Sequence, residues 1–305
     1  MLVYLNDPND QSYIKEIATE PAIKGMQIRY VWRDLEKSKG VYDFSAIRSD
    51  LNALQAARKR LVVQIMDRKF GSTTDLDSVV PSYMRTEAIY NGGTVQRPSA
   101  VTARLWEEPV MDRLIALYQA IGREFDSEEY FEGITTEETA FGFGSLTPPA
   151  GYSDSALAKQ LGRLCVEAKP AFAKSNFFFY TNWLSPSPME GLIKTLAANG
   201  CGVGGPDTMH NAPTLGERYY TGTSGGADYR GVVPIAHAVQ SADTSDGHTP
   251  TEIFDNCYNS KNCNYMFWLR KSGDLWTNSI MPALRARPSL RTNCPSRYTE
   301  CDAGQ

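Results

Sequence analysis

Short apolar runs alternate with amphipathic helical segments along the chain. Eight of these runs are almost continuously apolar, which is typical of strands that are buried on both faces of a parallel sheet. Between them, apolar residues recur at helical spacing, for example at Ile47, Leu51 and Leu54. Seven of the runs cover residues 2–5, 25–32, 60–66, 176–183, 202–207, 232–240 and 264–269, and another begins at Phe131 and stops at Glu137 and Glu138.

Eight strands that alternate with about eight helices predict an α/β protein with a (β/α)₈ TIM barrel, in one domain over residues 1–305. A doubly wound open sheet is the competing fold. It would carry a glycine-rich turn after the first strand, where this chain has Asn6-Asp7-Pro8. The polar segment 67–104 is predicted to be a long loop with a functional role, because compact domains rarely keep such loops otherwise.

Composition narrows the class of partner. The net charge is -4 and no basic block occurs, so nucleic acid is not an expected partner. No apolar run is long enough to span a membrane. The six cysteines and three histidines show no zinc-type spacing, so we expect neither a metal nor a cofactor.

Two pairs of cysteines are close in sequence, Cys257 with Cys263 and Cys294 with Cys301, whereas Cys165 and Cys201 stand apart. Such pairs late in an even set favour disulfides, which form in oxidising compartments. We therefore expect a secreted or periplasmic protein whose leader is missing from this sequence.

Candidate chemistry lies just beyond the strands, because catalytic groups of barrels lie at the carboxyl ends of their strands. Tryptophan faces stack on sugar rings and fixed polar groups orient hydroxyls, so tryptophans and polar residues at the strand ends predict a carbohydrate-binding cleft. His237 can equally be a structural histidine with a satisfied ring nitrogen. The predicted substrate-binding residues are Trp32, Arg33, Gln64, Asp67, Arg68, Asn182, Trp183, Asp207, His210, His237 and Trp268.

Glu137 and Glu138 end the fourth strand. Adjacent carboxylates repel each other, and partial burial raises their proton affinity, which suits a general acid near neutral pH. The competing interpretation is a pair of acids that starts the next helix, where negative charge is favourable. The position at a strand end of the predicted barrel favours catalysis.

The segment 30–44, Tyr-Val-Trp-Arg-Asp-Leu-Glu-Lys-Ser-Lys-Gly-Val-Tyr-Asp-Phe, resembles the segment after strand two of retaining glycoside hydrolases. The resemblance is to the β-galactosidase-like and cellulase-like members of the (β/α)₈ clan, which have catalytic glutamates on strands four and seven. It implies hydrolysis of a β-linked oligo- or polysaccharide by double displacement. It also implies Glu138 as acid/base, with Glu137 in contact with the sugar, although the clan has Asn where this chain has Glu137.

The resemblance also requires a glutamate at the end of strand seven, and none is present. We hypothesise that Ala238, or as a second choice Gln240, stands in place of that nucleophile in a knockout variant; Asp243 is a natural alternative. A non-catalytic carbohydrate-binding barrel is the second functional hypothesis. A lyase or isomerase of sugar acids is the third, in which Arg29, Arg33 and Arg68 would hold a carboxylate.

Overall fold

A computed structural model describes residues 2–6, 12–71, 75–143, 146–209, 216–270 and 273–287. Its central feature is a closed barrel of parallel strands, in which each strand pairs with its neighbours in sequence and the last pairs with the first. The predicted (β/α)₈ fold is therefore confirmed. The strands are β1 (Leu2–Asn6), β2 (Gly25–Val31), β3 (Arg60–Met66), β4 (Phe131–Glu138), β5 (Asn176–Tyr180), β6 (Gly202–Gly205), β7 (Ile235–Val239) and β8 (Tyr265–Leu269).

One helix follows each strand and packs outside the barrel. Several begin at clear sequence signals: the Ser153 hydroxyl caps the helix after β4, and Thr249 and Glu252 form a capping box after β7. The helices are α1 (Ser12–Ile17), α2 (Ser45–Ala56), α3 (Glu108–Phe125), α4 (Asp154–Ala168), α5 (Pro186–Ala198), α6 (Glu217–Tyr220), α7 (Pro250–Asp255) and α8 (Met281–Arg285). Shorter helical pieces are Trp32–Leu35, Tyr83–Thr86, Ala88–Tyr90, Lys169–Ala171, Ser241–Ser245, Asn256–Ser260 and Trp276–Ile280.

Two layers of buried side chains hold the fold together, one between strands and helices and one inside the barrel. Alternation along β7 shows how the strands serve both layers. Ala236 and Ala238 point into the barrel, while Ile235 and Val239 pack towards the helices. The inner layer consists of Tyr4, Val62, Phe178, Tyr180, Ala236, Ala238, Tyr265 and Phe267.

The amino-terminal end of the barrel is closed by a buried ion pair. The Arg60 guanidinium donates to Glu132 Oε2 (2.9 Å), and the Tyr265 hydroxyl donates to Glu132 Oε1 (2.5 Å). Glu132 thus lies on the same strand as Glu137 and Glu138 but at the opposite end. In barrels this end contributes stability, whereas the carboxyl end carries the chemistry.

The segment 67–104 is more ordered than we predicted. It contains an antiparallel sheet of Arg68–Phe70, Ala100–Ala103 and Thr94–Arg97, with Ala100–Ala103 in the middle. Pro98 and Ser99 form the two-residue connection of its hairpin, a turn that the loop interpretation overlooked. A second small hairpin, Glu36–Ser38 with Val41–Tyr42, follows β2.

Two disulfides are present in the described chain. Cys257 pairs with Cys263, as their spacing predicted, and Cys165 pairs with Cys201. Cysteine spacing did not predict the second pairing, because its members are 36 positions apart: Cys165 lies on α4 and Cys201 directly precedes β6. The pair Cys294 and Cys301 lies outside the described residues, so one domain over residues 1–305 stays a prediction. None of the described helices is long and apolar enough to cross a membrane.

Candidate active site

A β-bulge at the end of β4 places Glu137 and Glu138 together. Thr135 pairs with Phe178 of β5, but the next pairing joins Glu138 to Tyr180, so β4 contains one extra residue. Consecutive strand residues normally point to opposite faces, and a bulge re-aims one of them. Both carboxyl groups consequently face one pocket.

This pocket opens at the carboxyl end of the barrel and has a volume of about 270 Å³. It is lined by side chains from six consecutive strands or from the loops that follow them. Most of them are polar, and such groups can orient a bound ligand through hydrogen bonds. They are Arg29, Gln64, Phe70, Glu137, Glu138, Tyr180, Pro206, Asp207 and Gln240.

Glu137 is the more buried of the two glutamates, with 8% of its surface exposed. Burial raises the pKa of Glu137 to about 8, and the negative charges of Asp67 and Glu138 act in the same direction. The guanidinium groups of Arg68 and Arg29 oppose that rise in pKa without cancelling it. Glu137 therefore carries a proton at neutral pH, as a general acid must.

Glu138 is held as a hydrogen-bond acceptor. Asn182 Nδ2 donates to Glu138 Oε2 (2.6 Å), and an Arg68 nitrogen lies 3.8 Å from Glu138 Oε1. The Asn182 amide is itself fixed, because Ala140 N donates to its Oδ1 (3.0 Å). Asn182, which we predicted to bind substrate, is instead fully buried and does not line the pocket; it lies beside the acids and orients Glu138.

Asp67 and Arg68 are buried next to the glutamates and do not line the pocket. Arg68 is 1% exposed; its Nε donates to Asp67 Oδ1 (2.8 Å) and a terminal nitrogen donates to the Ala140 carbonyl (2.7 Å). Gln64 lines the pocket, and its Nε2 donates to the Thr136 carbonyl (3.3 Å). Of these three predicted binding residues, Gln64 alone reaches the pocket.

Strand β7 presents Gln240, rather than Ala238, to the pocket. Ala238 is fully buried inside the barrel, and its carbonyl accepts from the Thr208 hydroxyl (2.8 Å). Asp243 is occupied by backbone donors, since it accepts from Thr208 N (3.0 Å), Met209 N (2.6 Å) and Gln240 N (2.7 Å). Our preference for Ala238 over Gln240 is therefore reversed by the geometry.

Solved structures of glycosidases share this fold. The catalytic domain of a β-amylase from Paenibacillus polymyxa is 12% identical, with a TM-score of 0.65 over 94% of this chain and 99% of that one. An endogalactoceramidase is 14% identical, with a TM-score of 0.59 over 99% and 80% of the two chains. Endo-glycoceramidase II from Rhodococcus sp. is 11% identical, with a TM-score of 0.57 over 90% and 74%.

At these identities the similarity establishes the fold. The resemblance to (β/α)₈ glycosidases that residues 30–44 suggested is thus confirmed for the architecture. No protein-family model matches the chain, and no curated protein is similar to it in sequence.

The three tryptophans do not share one cleft, which corrects our expectation. Trp32 is completely buried, with Nε1 donating to Glu36 Oε2 (3.0 Å), and Trp268 is 1% exposed. Neither ring offers a face to a sugar. Trp183 is 46% exposed and has a left-handed backbone (φ 53), which is rare for a bulky residue.

His237 is a structural histidine. Its Nδ1 donates to the Asp207 carbonyl (2.9 Å), and its Nε2 accepts from the Tyr220 hydroxyl. Burial lowers the pKa of His237 to about 3, so the ring is neutral and supports the backbone of Asp207, whose side chain lines the pocket. His210 lies outside the described residues.

Arg33 is exposed and donates to the Asp77 carbonyl, outside the pocket. Conversely, our predicted substrate-binding set omitted Arg29, Phe70, Tyr180 and Pro206, which line the pocket; Arg29 was named only for the lyase or isomerase hypothesis. Tyr180 could have been found, because it lies near the carboxyl end of the predicted strand 176–183. Phe70 could not, because it reaches the pocket through the sheet that we predicted to be a loop. Among the described residues, no group of three acidic, histidine or cysteine side chains could hold a metal ion.

Proposed function

We propose that this protein is a glycoside hydrolase that cleaves a β-linked oligo- or polysaccharide in the pocket at the end of β4. The observation that carries the proposal is the convergence of two adjacent glutamates on one polar pocket, with burial keeping Glu137 protonated. The glycosidases that share the fold support hydrolysis of a glycoside, and the resemblance of segment 30–44 is what suggests a β-linked substrate.

We assign the proton donor to Glu137, rather than to Glu138 as the resemblance implied. A protonated carboxyl can donate to the glycosidic oxygen as the bond breaks, and its carboxylate can then accept a proton from water. Glu138, held by Asn182 and Arg68, offers its oxygens as acceptors to a sugar hydroxyl.

We assign the second catalytic carboxylate to Asp207. It follows β6 and is the one carboxyl group among the residues lining this pocket that does not come from β4. A retaining double displacement requires two carboxyl groups about 5–5.5 Å apart, whereas inversion requires a wider gap for water. Proton NMR of the newly released anomer distinguishes the two mechanisms.

The test is cleavage of a panel of β-linked glycans, with chromatography of the products. We expect Glu137→Gln and Asp207→Asn each to lower kcat by about 10²-fold or more, because each removes a group that transfers a proton or attacks the sugar. Glu129→Gln, at an exposed position before β4, is the matched control and should leave kcat unchanged. Equal kcat in all four proteins would reject this assignment of residues.

A non-catalytic carbohydrate-binding barrel is the second candidate, because the pocket contains Gln240 where the resemblance requires a glutamate. On this hypothesis the protein binds a glycan and releases no product, and Gln240→Glu gains hydrolysis. Ala238→Glu is the control, since it places a carboxyl group among the aromatic residues inside the barrel. Turnover by the unmodified protein would exclude this candidate.

We also propose that the protein functions in an oxidising compartment outside the cytoplasm. The two disulfides support this location, since such bonds persist chiefly in secreted and periplasmic proteins.

A further inference from the structure

Three arginines of the sequence were candidates to hold a carboxylate, and the structure separates them. Arg33 donates to a backbone carbonyl outside the pocket, and Arg68 is engaged by Asp67 and Glu138. Arg29 lines the pocket, and no ion pair involves it among the described residues. Among the described residues, this guanidinium therefore has no carboxylate within ion-pair distance, although its charge acts on the nearby Glu137.

The Nε of Arg29 is buried and has no hydrogen-bond acceptor in the described part of the protein. A buried donor without an acceptor costs free energy, so its persistence calls for an explanation. Arg29 pairs with Gln64 across β2 and β3, and both side chains face the pocket. The donor thus lies beside the proposed cleavage site.

None of the three acids that line the pocket, Glu137, Glu138 and Asp207, forms an ion pair with Arg29 in the described part of the chain. Glu138 already accepts from Asn182 and lies near Arg68. Glu137 carries its proton at neutral pH, which leaves it a weak partner for a cation and reduces the negative charge that an anionic ligand would meet. An anionic group on the substrate would complete the hydrogen bonding of Arg29.

We propose that Arg29 binds an anionic group of the substrate, so that the glycan carries a carboxylate, as uronic acids do. A carboxylate matches the planar fork of a guanidinium and can accept from two of its N–H groups together. A sulfate ester offers similar oxygens and is distinguished by experiment. The inference rests on the proposed function, because it names the substrate class of the same pocket.

Three oligosaccharides of equal length test the inference: a β-1,4-linked oligoglucuronate, the cello-oligosaccharide and its 6-O-sulfated form. They differ only at C6, and their binding is measured by calorimetry independently of cleavage. We expect the oligoglucuronate to bind about tenfold or more tightly than the neutral chain, as hydrogen bonds to charged groups allow. The sulfated chain is expected to bind between the two.

Arg29→Met should bring the ratio of the two affinities close to one and remove most of its salt dependence. Arg29→Lys should keep the salt dependence but bind the carboxylate less tightly, because lysine lacks the fork. Arg123→Met removes the same charge from an exposed position of α3 and should change neither quantity. The circular dichroism of each variant verifies that it is folded.

The two proposals fail separately. Selective binding that Arg29→Met abolishes supports the inference even if no glycan is cleaved. Cleavage of neutral glycans, with equal affinity for neutral and anionic chains, supports the proposed function and overturns the inference. Tighter binding of the sulfated chain than of the oligoglucuronate would replace the carboxylate by a sulfate.

Discussion

Burial divides the roles of Glu137 and Glu138, although they are neighbours in the chain. Glu137 is largely removed from solvent, and burial raises the pKa of its carboxyl group to about 8. Glu138 instead meets an amide donor and a guanidinium. When two carboxyl groups have such different surroundings, one can serve as acid while the other accepts hydrogen bonds.

The raised pKa of Glu137 also predicts how stability depends on pH. The folded protein retains the Glu137 proton up to about pH 8, whereas an unfolded glutamate loses it near its ordinary pKa of 4.5. The free energy of unfolding should therefore decrease as pH rises between these values, because the native state binds more protons there. Glu137→Gln, which resembles the protonated acid, should remove this contribution.

Thermal unfolding between about pH 5 and pH 8 measures this effect. We expect the Tm of Glu137→Gln to rise relative to that of the unmodified protein as pH increases, and the Tm of Glu129→Gln to follow the unmodified protein. Parallel curves for all three proteins would show that Glu137 is not held in its protonated form.

At the scale of single residues, the sequence predicted that Glu137, Glu138 and Asn182 lie at the carboxyl end of the barrel, because all three lie where predicted strands end. It could not predict the bulge that turns both acids into one pocket, since bulges depend on pairing with β5. It also could not predict that Trp32 is buried, because that position depends on packing around Glu36.

Arg68 joins the antiparallel sheet of segment 67–104 to the end of β4. Its guanidinium donates to Asp67 and to the Ala140 carbonyl, and it lies 5.3 Å from the centre of the Phe141 ring. Arg97, from the same sheet, also faces Phe141. The sheet is thus attached to the loop that follows the glutamates, which explains how Phe70 reaches the pocket.

Arg68→Met should lower the free energy of unfolding by about 3–5 kcal/mol, because it leaves the buried carboxylate of Asp67 without its partner. Lys69→Met is the matched control, since it removes a positive charge from the next, exposed position of the same strand and should change stability by at most about 0.5 kcal/mol. Urea unfolding measures both variants. Similar losses in the two would mean that Arg68 does not stabilise this attachment.

The regular elements of the barrel could be predicted from periodicity because each strand is a short apolar run followed by a helical pattern. The elements that we missed are short. The strands of segment 67–104 have three or four residues each, too few for a periodic apolar pattern to be recognised. Their pairing is set by contacts within the folded protein.

Closure of the barrel joins the first strand to the last, because β1 pairs with β8 as well as with β2. Strand order could be predicted in full, since consecutive strands of this fold are neighbours in space. The close approach of β6 to β7 could not be predicted from the sequence. A Cβ on Gly204 of β6 would lie 1.5 Å from the Ala236 carbonyl oxygen of β7, so this position requires glycine.

The disulfides constrain the whole chain to different extents. Cys165 and Cys201 are separated by 36 positions and enclose β5 and α5, whereas Cys257 and Cys263 are separated by 6. A crosslink lowers the entropy of the unfolded chain by an amount that increases with the logarithm of the length of the loop that it closes. All four cysteines are fully buried, so replacing either pair by alanine leaves comparable losses of packing.

Replacing Cys165 and Cys201 by alanine should therefore destabilise the protein more than replacing Cys257 and Cys263. The ratio of the loop lengths corresponds to a difference of about 1.5 kcal/mol at 25 °C. Urea unfolding of the two double variants under oxidising conditions measures this difference. After reduction, both variants should have the stability of the reduced unmodified protein, less the packing that is lost on substitution. Equal losses of unfolding free energy under oxidising conditions would instead mean that the longer crosslink acts through native packing. An unfolded chain that stays compact between α4 and β6 has little entropy for a disulfide to remove.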